Sequence, residues 1–147
     1  MLYVTVSENG ASVEFEPVGF TAAAEQGSVS YVEGDIVQFE IAVENIGNHF
    51  NTTSGVFTCP TTGLYNMQLS LLSDETDRAV ASIVHEGDVM GTSFSEDDNF
   101  NQNSISAVFI CNAGDEVWAE GAGPTTLTGL TGAHCNAFSG FLLHLEC

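Results

Sequence analysis

The run Leu64–Leu72 alternates apolar and polar side chains with a period of two, which is typical of a strand buried on one face. A second short apolar run, Val56–Cys59, ends just before it, and Pro60-Thr61-Thr62-Gly63 separates the two. Pro60 fixes one backbone angle, and Gly63 can take a positive φ at no steric cost. The segment therefore predicts two strands that are joined by a turn.

The rest of the chain repeats this pattern of short apolar runs and turn signals, and no stretch has the spacing of an amphipathic helix. We therefore predict an all-β fold in a single domain, residues 1–147. The predicted strands are Tyr3–Val6, Gly19–Ala24, Ile36–Val43, Val56–Cys59, Leu64–Leu72, Ala79–His85, Ile105–Cys111, Val117–Gly121 and Phe138–Leu145. The turns between them are marked by Glu33-Gly34-Asp35, Asn45-Ile46-Gly47, Glu86-Gly87-Asp88 and Asn112-Ala113-Gly114-Asp115. Gly121–Gly132 is predicted to be a long polar loop.

For some strands, the sequence also indicates which face of the sheet each side chain occupies. In Ile36–Val43, the side chains of Val37, Phe39, Ile41 and Val43 are predicted to share one face. Ile105–Cys111 and Phe138–Leu145 are apolar on both faces; in the second, Phe141, Leu143 and Leu145 oppose Phe138 and Leu142. A strand of this kind is either covered on both sides or faces another subunit.

The charge balance excludes some partners. The chain has 20 acidic residues against a single basic one, Arg78, which gives a net charge of −19. Binding to nucleic acid requires a basic footprint, so nucleic acid is excluded, and no apolar stretch is long enough to insert into a membrane. The acidity serves either solubility or calcium binding, since carboxylates are good calcium ligands.

No motif indicates an enzyme. There is no nucleophile elbow and no His-Glu-x-x-His, and the histidines at 49, 85, 134 and 144 lack metal-type spacing. The cysteines are Cys59, Cys111, Cys135 and Cys147; they form no Cys-x-x-Cys pair, so a zinc ribbon is not predicted. Asn51-Thr52-Thr53 is an N-glycosylation acceptor if the chain is secreted.

Five fragments in order carry a family resemblance. They are Val18–Ala22; Asn45, Gly47, Phe50 and Asn51; Gly55–Tyr65; Cys111–Trp118; and Phe138–Leu143. Together they resemble the globular head domain of the complement C1q family, a branch of the tumour necrosis factor-like jelly rolls. Met67 and Leu69 stand where that family usually has aromatic residues, and no collagen-like stalk is seen in the sequence. The resemblance implies a two-sheet jelly-roll sandwich that assembles as a homotrimer, with one face of the final strand at the threefold interface.

The jelly-roll strand order that the resemblance implies also suggests which cysteines are neighbours. Cys59, Cys111 and Cys147 would lie at one end of the sandwich, whereas Cys135 would lie at the far end of the last strand. A disulfide Cys59–Cys111 is thus implied, with Cys135 and Cys147 free or intermolecular. Four reduced core thiols are the alternative if the protein is made in a reducing cell.

The loop Ser95–Asn101 is the densest acidic segment. It is not an EF-hand, because the required Gly and Glu are replaced by Gln102 and Val108. Several members of the resembled family hold calcium near this position; here Asn101 and Ser93 occupy the matching places, and Glu96, Asp97 and Asp98 could supply the missing carboxylates. Calcium at Glu96, Asp97, Asp98 and Asn101 is one expectation, and a solvated loop is the other.

A second acidic segment precedes the only arginine. Asp74, Asp77 and Arg78 either form a ligand-facing loop, in which Arg78 contacts an anionic sugar or carboxylate, or a solvated turn with a local ion pair of little consequence.

The function expected from the resemblance is that of stand-alone C1q-domain proteins of invertebrates, especially molluscs. Such a protein is secreted and non-enzymatic, and recognises microbial glycans or other surface ligands in innate defence through the avidity of its trimer. The alternative is an acidic calcium-binding matrix or body-fluid protein that acts in biomineralisation or metal-ion transport.

Overall fold

The computed structural model describes residues 4–8, 11–15, 17–73, 78–95, 101–128 and 135–145, with fourteen strands among them. The strands are β1 Val4–Glu8, β2 Ala11–Phe15, β3 Gly19–Ala24, β4 Ser28–Tyr31, β5 Ile41–Ile46, β6 Phe50–Asn51, β7 Val56–Thr58, β8 Gly63–Ser73, β9 Ala79–His85, β10 Asp88–Ser95, β11 Asn101–Cys111, β12 Glu116–Gly121, β13 Thr125–Thr128 and β14 Asn136–Leu145.

Two five-stranded antiparallel sheets form the body of the fold. Their strand orders are β11-β8-β14-β3-β5 and β10-β9-β12-β7-β6, and two ribbons, β1-β2 and β13-β4, complete the described topology. Because both sheets contribute side chains to one shared core, they pack face to face as a jelly-roll sandwich. The all-β prediction is confirmed. No helix in the described part of the chain is long and apolar enough to cross a membrane.

The centre of the core is aromatic. Phe20 stacks on Phe50 and on Phe57, with ring centroids 4.8 Å apart in each case, and meets the edge of Phe138 at 5.1 Å. Tyr65 is fully buried beside this group, and its hydroxyl donates a 2.6 Å hydrogen bond to the Thr61 carbonyl. The alternating pattern of Leu64–Leu72 is thus explained, because its odd-numbered residues fill the space between the sheets.

The arrangement that the resemblance implies for the last strands is present. β8 runs antiparallel to both β11 and β14, so Cys111 and Leu145 both pair with Gly63. The turn at residues 60–62 and the end of β14 therefore lie at the same end of the sandwich. The prediction that Leu145 shares a face with Phe141 concerns a side chain outside the described residues.

Other boundaries were wrong. The first part of the predicted strand Ile36–Val43 is an irregular segment with one β-bridge at Ile36, and the regular strand begins later and covers Ile41–Ile46. Val37 and Phe39 are fully buried as predicted, but Val43 is 44% exposed. A register shift between β3 and β5 interrupts the alternation there, which is why Val43 leaves the predicted face.

The positions of the turns were predicted more accurately than the number of strands. All four turn signals contain a glycine at positive φ, among them Gly114 at 92°, but Gly63 is not one of these glycines and instead begins β8. The strands β2, β4, β6, β10 and β13 were not predicted. β13 lies inside the segment that was expected to be a polar loop, and its Thr125 and Thr126 are buried by pairing with β4.

Candidate functional site

The outer face of the sheet β11-β8-β14-β3-β5 carries one row of residues that crosses all five strands. Adjacent members of the row are register partners, in the order Val108, Asn66, Phe141, Gly19, Ile46. Val108, Phe141 and Ile46 are 52%, 44% and 43% exposed. We call this set the apolar row; it is a surface of large apolar side chains that no described part of the chain covers.

The apolar row has a defined boundary. Toward the end that holds the 60–62 turn, Ile110 and Leu143 extend it, with exposures of 44% and 48%. On its other side the next row across the same five strands is entirely polar: Ser106, Gln68, Ser139, Thr21 and Glu44. An apolar patch with a polar border is typical of a surface that meets another protein.

One member of the apolar row is polar. The Oδ1 atom of Asn66 is buried and has no hydrogen-bond partner among the described residues. An orphan acceptor beside exposed apolar side chains is an unfavourable arrangement in an isolated chain. A donor brought by another surface would satisfy it.

A disulfide joins Cys59 and Cys111, which is the pair that the resemblance implies. It links the end of the 56–59 run to the last residue of β11. Backbone hydrogen bonds from Cys59 N to Asp115 O (2.9 Å) and from Gly114 N to Cys59 O (2.8 Å) fix the neighbouring turn. Cys135 is half-buried at the opposite end of β14, and Cys147 lies outside the described residues.

The side chains of His85 and Asp115 are hydrogen-bonded to each other beside this disulfide. Their Nε2 and Oδ2 atoms are 2.9 Å apart, and the imidazole stacks on Phe109 with ring centroids 4.9 Å apart. The hydrogen bond from His85, followed by that from the Asn112 backbone, holds the pKa of Asp115 below its ordinary value. Cys111 lies close enough to complete a His-Cys-Asp metal set, but its sulfur is in the disulfide and offers no thiolate.

The predicted calcium residues are only partly placed. Glu96, Asp97 and Asp98 lie outside the described residues. Asn101 begins β11 as the partner of Ser73, and Ser93 is buried in β10 with its hydroxyl unpaired within the described structure.

The predicted ligand loop is also only partly placed. Asp74 and Asp77 lie outside the described residues. Arg78 is exposed immediately before β9, and its carbonyl accepts a 3.0 Å hydrogen bond from Thr126 N. Asn51, the predicted glycosylation site, is exposed at a turn where its Oδ1 accepts hydrogen bonds from Thr53 N and Ser54 N at 2.8 and 3.1 Å.

Two features of the structure were not predicted from the sequence. The His85–Asp115 pair was overlooked because 30 residues separate its members, although His85 precedes one predicted turn and Asp115 ends another. The continuity of the apolar row was overlooked because it depends on register between five strands. Exposed apolar positions in β11 and β14 were the signal that could have indicated it.

Comparisons with known proteins agree with this architecture. The family model described as C1q domain matches residues 19–143. Protein HP-25 homolog 2 of Bos taurus is 29% identical over 108 residues, which are 74% of this chain and 50% of that protein, so the chain spans half the length of this relative.

Solved structures of low sequence identity share the fold. The globular domain of the zebrafish complement 1qA protein has a TM-score of 0.70 at 21% identity, with 89% of this chain and all of that chain covered. Murine APRIL at pH 5.0 has a TM-score of 0.66 at 14% identity (87% and 100% covered), and Eiger TNF from S. frugiperda has 0.66 at 15% (90% and 96%). Because the family model covers most of the sequence, the chain belongs to the C1q-domain family.

Proposed function

We propose that this chain is a secreted, non-enzymatic recognition protein that binds microbial surface glycans, or other surface ligands, through a homotrimer in innate defence. Membership of the C1q-domain family supports the recognition role. The observation that carries the proposal is the apolar row, which gives a single chain a surface suited to contact with copies of itself.

The row fits an interface in three ways. Its apolar side chains are exposed in the isolated chain, and its border is polar. The buried Oδ1 atom of Asn66 also has no hydrogen-bond donor within the described structure. Three copies that meet through this face would leave their loops free to bind a surface. Linking weak sites in this way raises avidity by roughly 10²–10⁴ without a deep pocket.

The first test is the mass of the protein in solution. Phe141→Asp places a charge within the apolar row, and we expect light scattering to show a trimer for the wild type and a monomer for the variant. Val89→Asp is the matched control, because Val89 is 62% exposed on β10 of the other sheet and should leave the trimer intact. A monomeric wild type would contradict the trimer.

The second test is binding itself. The wild type is expected to be retained on insoluble yeast or bacterial polysaccharide, with apparent affinity reduced roughly 10²-fold or more in the monomeric variant. Equal retention of trimer and monomer would contradict the avidity mechanism, and no retention of either would contradict glycan recognition.

The alternative proposal is an acidic calcium-binding protein of a matrix or body fluid, acting in biomineralisation or ion transport. One observation favours it: the residues that flank the two acidic segments are paired, Ser73 with Asn101 and Ala79 with Ser95. The residue before the first segment therefore pairs with the residue after the second, and the two segments share anchor points on paired strands. Calcium-titration calorimetry distinguishes the proposals: many weak sites support the alternative, whereas a few saturable sites that Asp97→Asn removes support structural calcium at Glu96, Asp97, Asp98 and Asn101.

A further inference from the structure

A cleft of about 360 Å³ opens between the ribbon β13-β4 and the irregular segment that precedes β5. Its volume lies at the lower end of the range of roughly 300–1,000 Å³ that is typical of small-molecule sites. The cleft is separate from the apolar row and from the disulfide end. Its lining comes from six stretches of chain: Ala24, Gln26, Val29, Tyr31, Gln38, Glu40, Thr52, Thr53, Leu127 and Asn136.

Part of the lining is apolar, and part is already hydrogen-bonded within the protein. Val29 and Leu127 are register partners in the ribbon, and Leu127 is 2% exposed. Asn136 is fully buried, and both ends of its amide are used: Oδ1 accepts from Leu72 N at 2.7 Å and Nδ2 donates to Thr128 O at 2.8 Å. Val29 and Leu127 therefore supply the apolar part of the cleft wall, and the two hydrogen bonds of Asn136 hold it in place.

Glu40 is held in place and keeps one oxygen for a ligand. Its Oε1 accepts hydrogen bonds from Glu25 N (2.7 Å) and Gln26 N (3.2 Å). Within the described structure its Oε2 has no partner, and it is not among the buried unpaired atoms, so it is open to solvent. The cleft thus contains a positioned acceptor that a donor from outside can reach.

The other polar groups of the lining supply hydrogen-bond donors, which Glu40 lacks. The Tyr31 hydroxyl accepts from Gln38 N at 3.2 Å, which leaves its hydrogen to be donated. Burial raises the pKa of Tyr31, so that hydrogen is retained at neutral pH. The hydroxyls of Thr52 and Thr53 and the amide of Gln26 have no partner within the described residues, and each can donate and accept.

We propose that this cleft binds a neutral, hydroxyl-rich ligand, specifically one saccharide unit of a glycan. Sugar hydroxyls donate and accept at once, which matches a lining that offers an acceptor in Glu40, a donor in Tyr31, and hydroxyls and amides that do both. The apolar wall suits the C–H face of a sugar ring. Among the described residues, no basic side chain lines the cleft and Glu40 is the one carboxylate, so an anionic sugar is disfavoured and calcium lacks ligands.

This inference rests on the proposed recognition function and locates its ligand-binding site in the cleft. The test uses the isotope-labelled chain of residues 1–147 made in bacteria, which attach no N-glycan, with chelator present. Glucose, mannose and N-acetylglucosamine are the neutral probes, N-acetylneuraminic acid is the anionic probe, and backbone amide shifts are followed by NMR. We expect the neutral sugars, at roughly millimolar concentration, to shift the amides of Gln26, Gln38 and Thr53.

Glu40→Gln should weaken neutral-sugar binding about five- to tenfold, the effect of losing one charge-assisted hydrogen bond. Its Oε1 still accepts the two backbone hydrogen bonds, so the cleft should keep its shape. Glu33→Gln makes the same charge change at an exposed turn outside the cleft and should have no effect. If Glu40→Gln proves unstable, Gln38→Ala is the second variant, because its side chain is exposed.

Two results would overturn the inference. One is the absence of shifts in the cleft with every neutral sugar; the other is equal binding by wild type and both cleft variants. Retention on insoluble polysaccharide separates this failure from failure of the proposed function. If the wild type and Glu40→Gln are retained equally, recognition stands and the cleft is not its site; if neither is retained, the proposed function fails too.

Discussion

The imidazole of His85 lies 2.9 Å from the carboxylate of Asp115, where the end of β9 meets the turn that precedes β12. The same carboxylate oxygen accepts a 3.1 Å hydrogen bond from Asn112 N, so one atom ties the turn to the strand. The Cys59–Cys111 disulfide closes the sandwich beside it. This end of the fold is therefore held by one hydrogen-bonded pair of side chains and one covalent bond, and each can be tested separately.

The free energy of unfolding should depend on Asp115 at low pH. Its folded pKa is lower than the ordinary value of 3.8, chiefly because of the hydrogen bond from His85. A depressed pKa stabilises the fold fully above the unfolded value and loses that effect as pH falls through the folded value. We expect thermal unfolding at about pH 6 to show Asp115→Asn less stable than wild type, and the two to converge below pH 3.8. The exposed Asp88→Asn is the control, and a difference that persists at low pH would contradict the role of the charge.

Removing the disulfide should have a large effect. It joins residues with a sequence separation of 52, and the chain-entropy model for a loop of that size gives about 4 kcal/mol of stabilisation. We expect Cys59→Ala/Cys111→Ala to unfold at a much lower guanidinium concentration, and reductant to lower the midpoint of the wild type similarly. Reductant should not change the midpoint of the double variant. An unchanged wild-type midpoint after complete reduction would contradict the prediction.

Gly140 should not tolerate a side chain. A Cβ at this position in β14 would collide with the Met67 sulfur and lie 3.0 Å from Phe20 Cε1. We expect Gly140→Ala to destabilise the fold by about 1–3 kcal/mol, the usual effect of overpacking, measured by chemical unfolding. Gly27→Ala is the control, because a Cβ there meets nothing within 4 Å. Equal stability of the two variants would mean that the core yields easily at Met67.

Secretion from eukaryotic cells should attach a glycan at Asn51. The side chain is exposed, and the turn uses its Oδ1 and leaves Nδ2, the atom that carries a glycan, without a partner within the described structure. We expect mass spectrometry to find one glycoform site, which Asn51→Gln abolishes and Thr53→Ser preserves. Thr52 and Thr53 line the proposed saccharide cleft, so enzymatic removal of the glycan should strengthen neutral-sugar binding. A secreted protein with unmodified Asn51 would contradict the prediction.

Local alternation and turn chemistry predicted the parts of the fold that depend on neighbouring residues. β3 and β9 have the predicted bounds, because each is a short, largely apolar run that stands out from the polar residues around it. β10 and β13 were missed, because their sequences contain Gly91 and a cluster of threonines. Pairing with β9 and with β4 makes them strands, and pairing is a tertiary property.

The functional surfaces were less predictable, for a related reason. The apolar row depends on register across five strands, and the cleft collects Tyr31, Glu40, Thr53 and Leu127 from distant parts of the chain. No local pattern marks such a set. The calcium and anionic-ligand predictions for 96–101 and 74–78 rested on local acidity and resemblance, and they stay predictions.

The near-absence of basic residues has a consequence for any assembly through the apolar row. Three chains of formal net charge −19 would bring together three times that charge, −57, because each chain has 20 acidic residues and one arginine. The Debye length grows from about 10 Å at 0.1 M salt to about 30 Å at 0.01 M, so dilution of the medium makes the subunits repel over the full width of the domain. Assembly through the apolar row should therefore be favoured by salt and should weaken as the salt concentration falls.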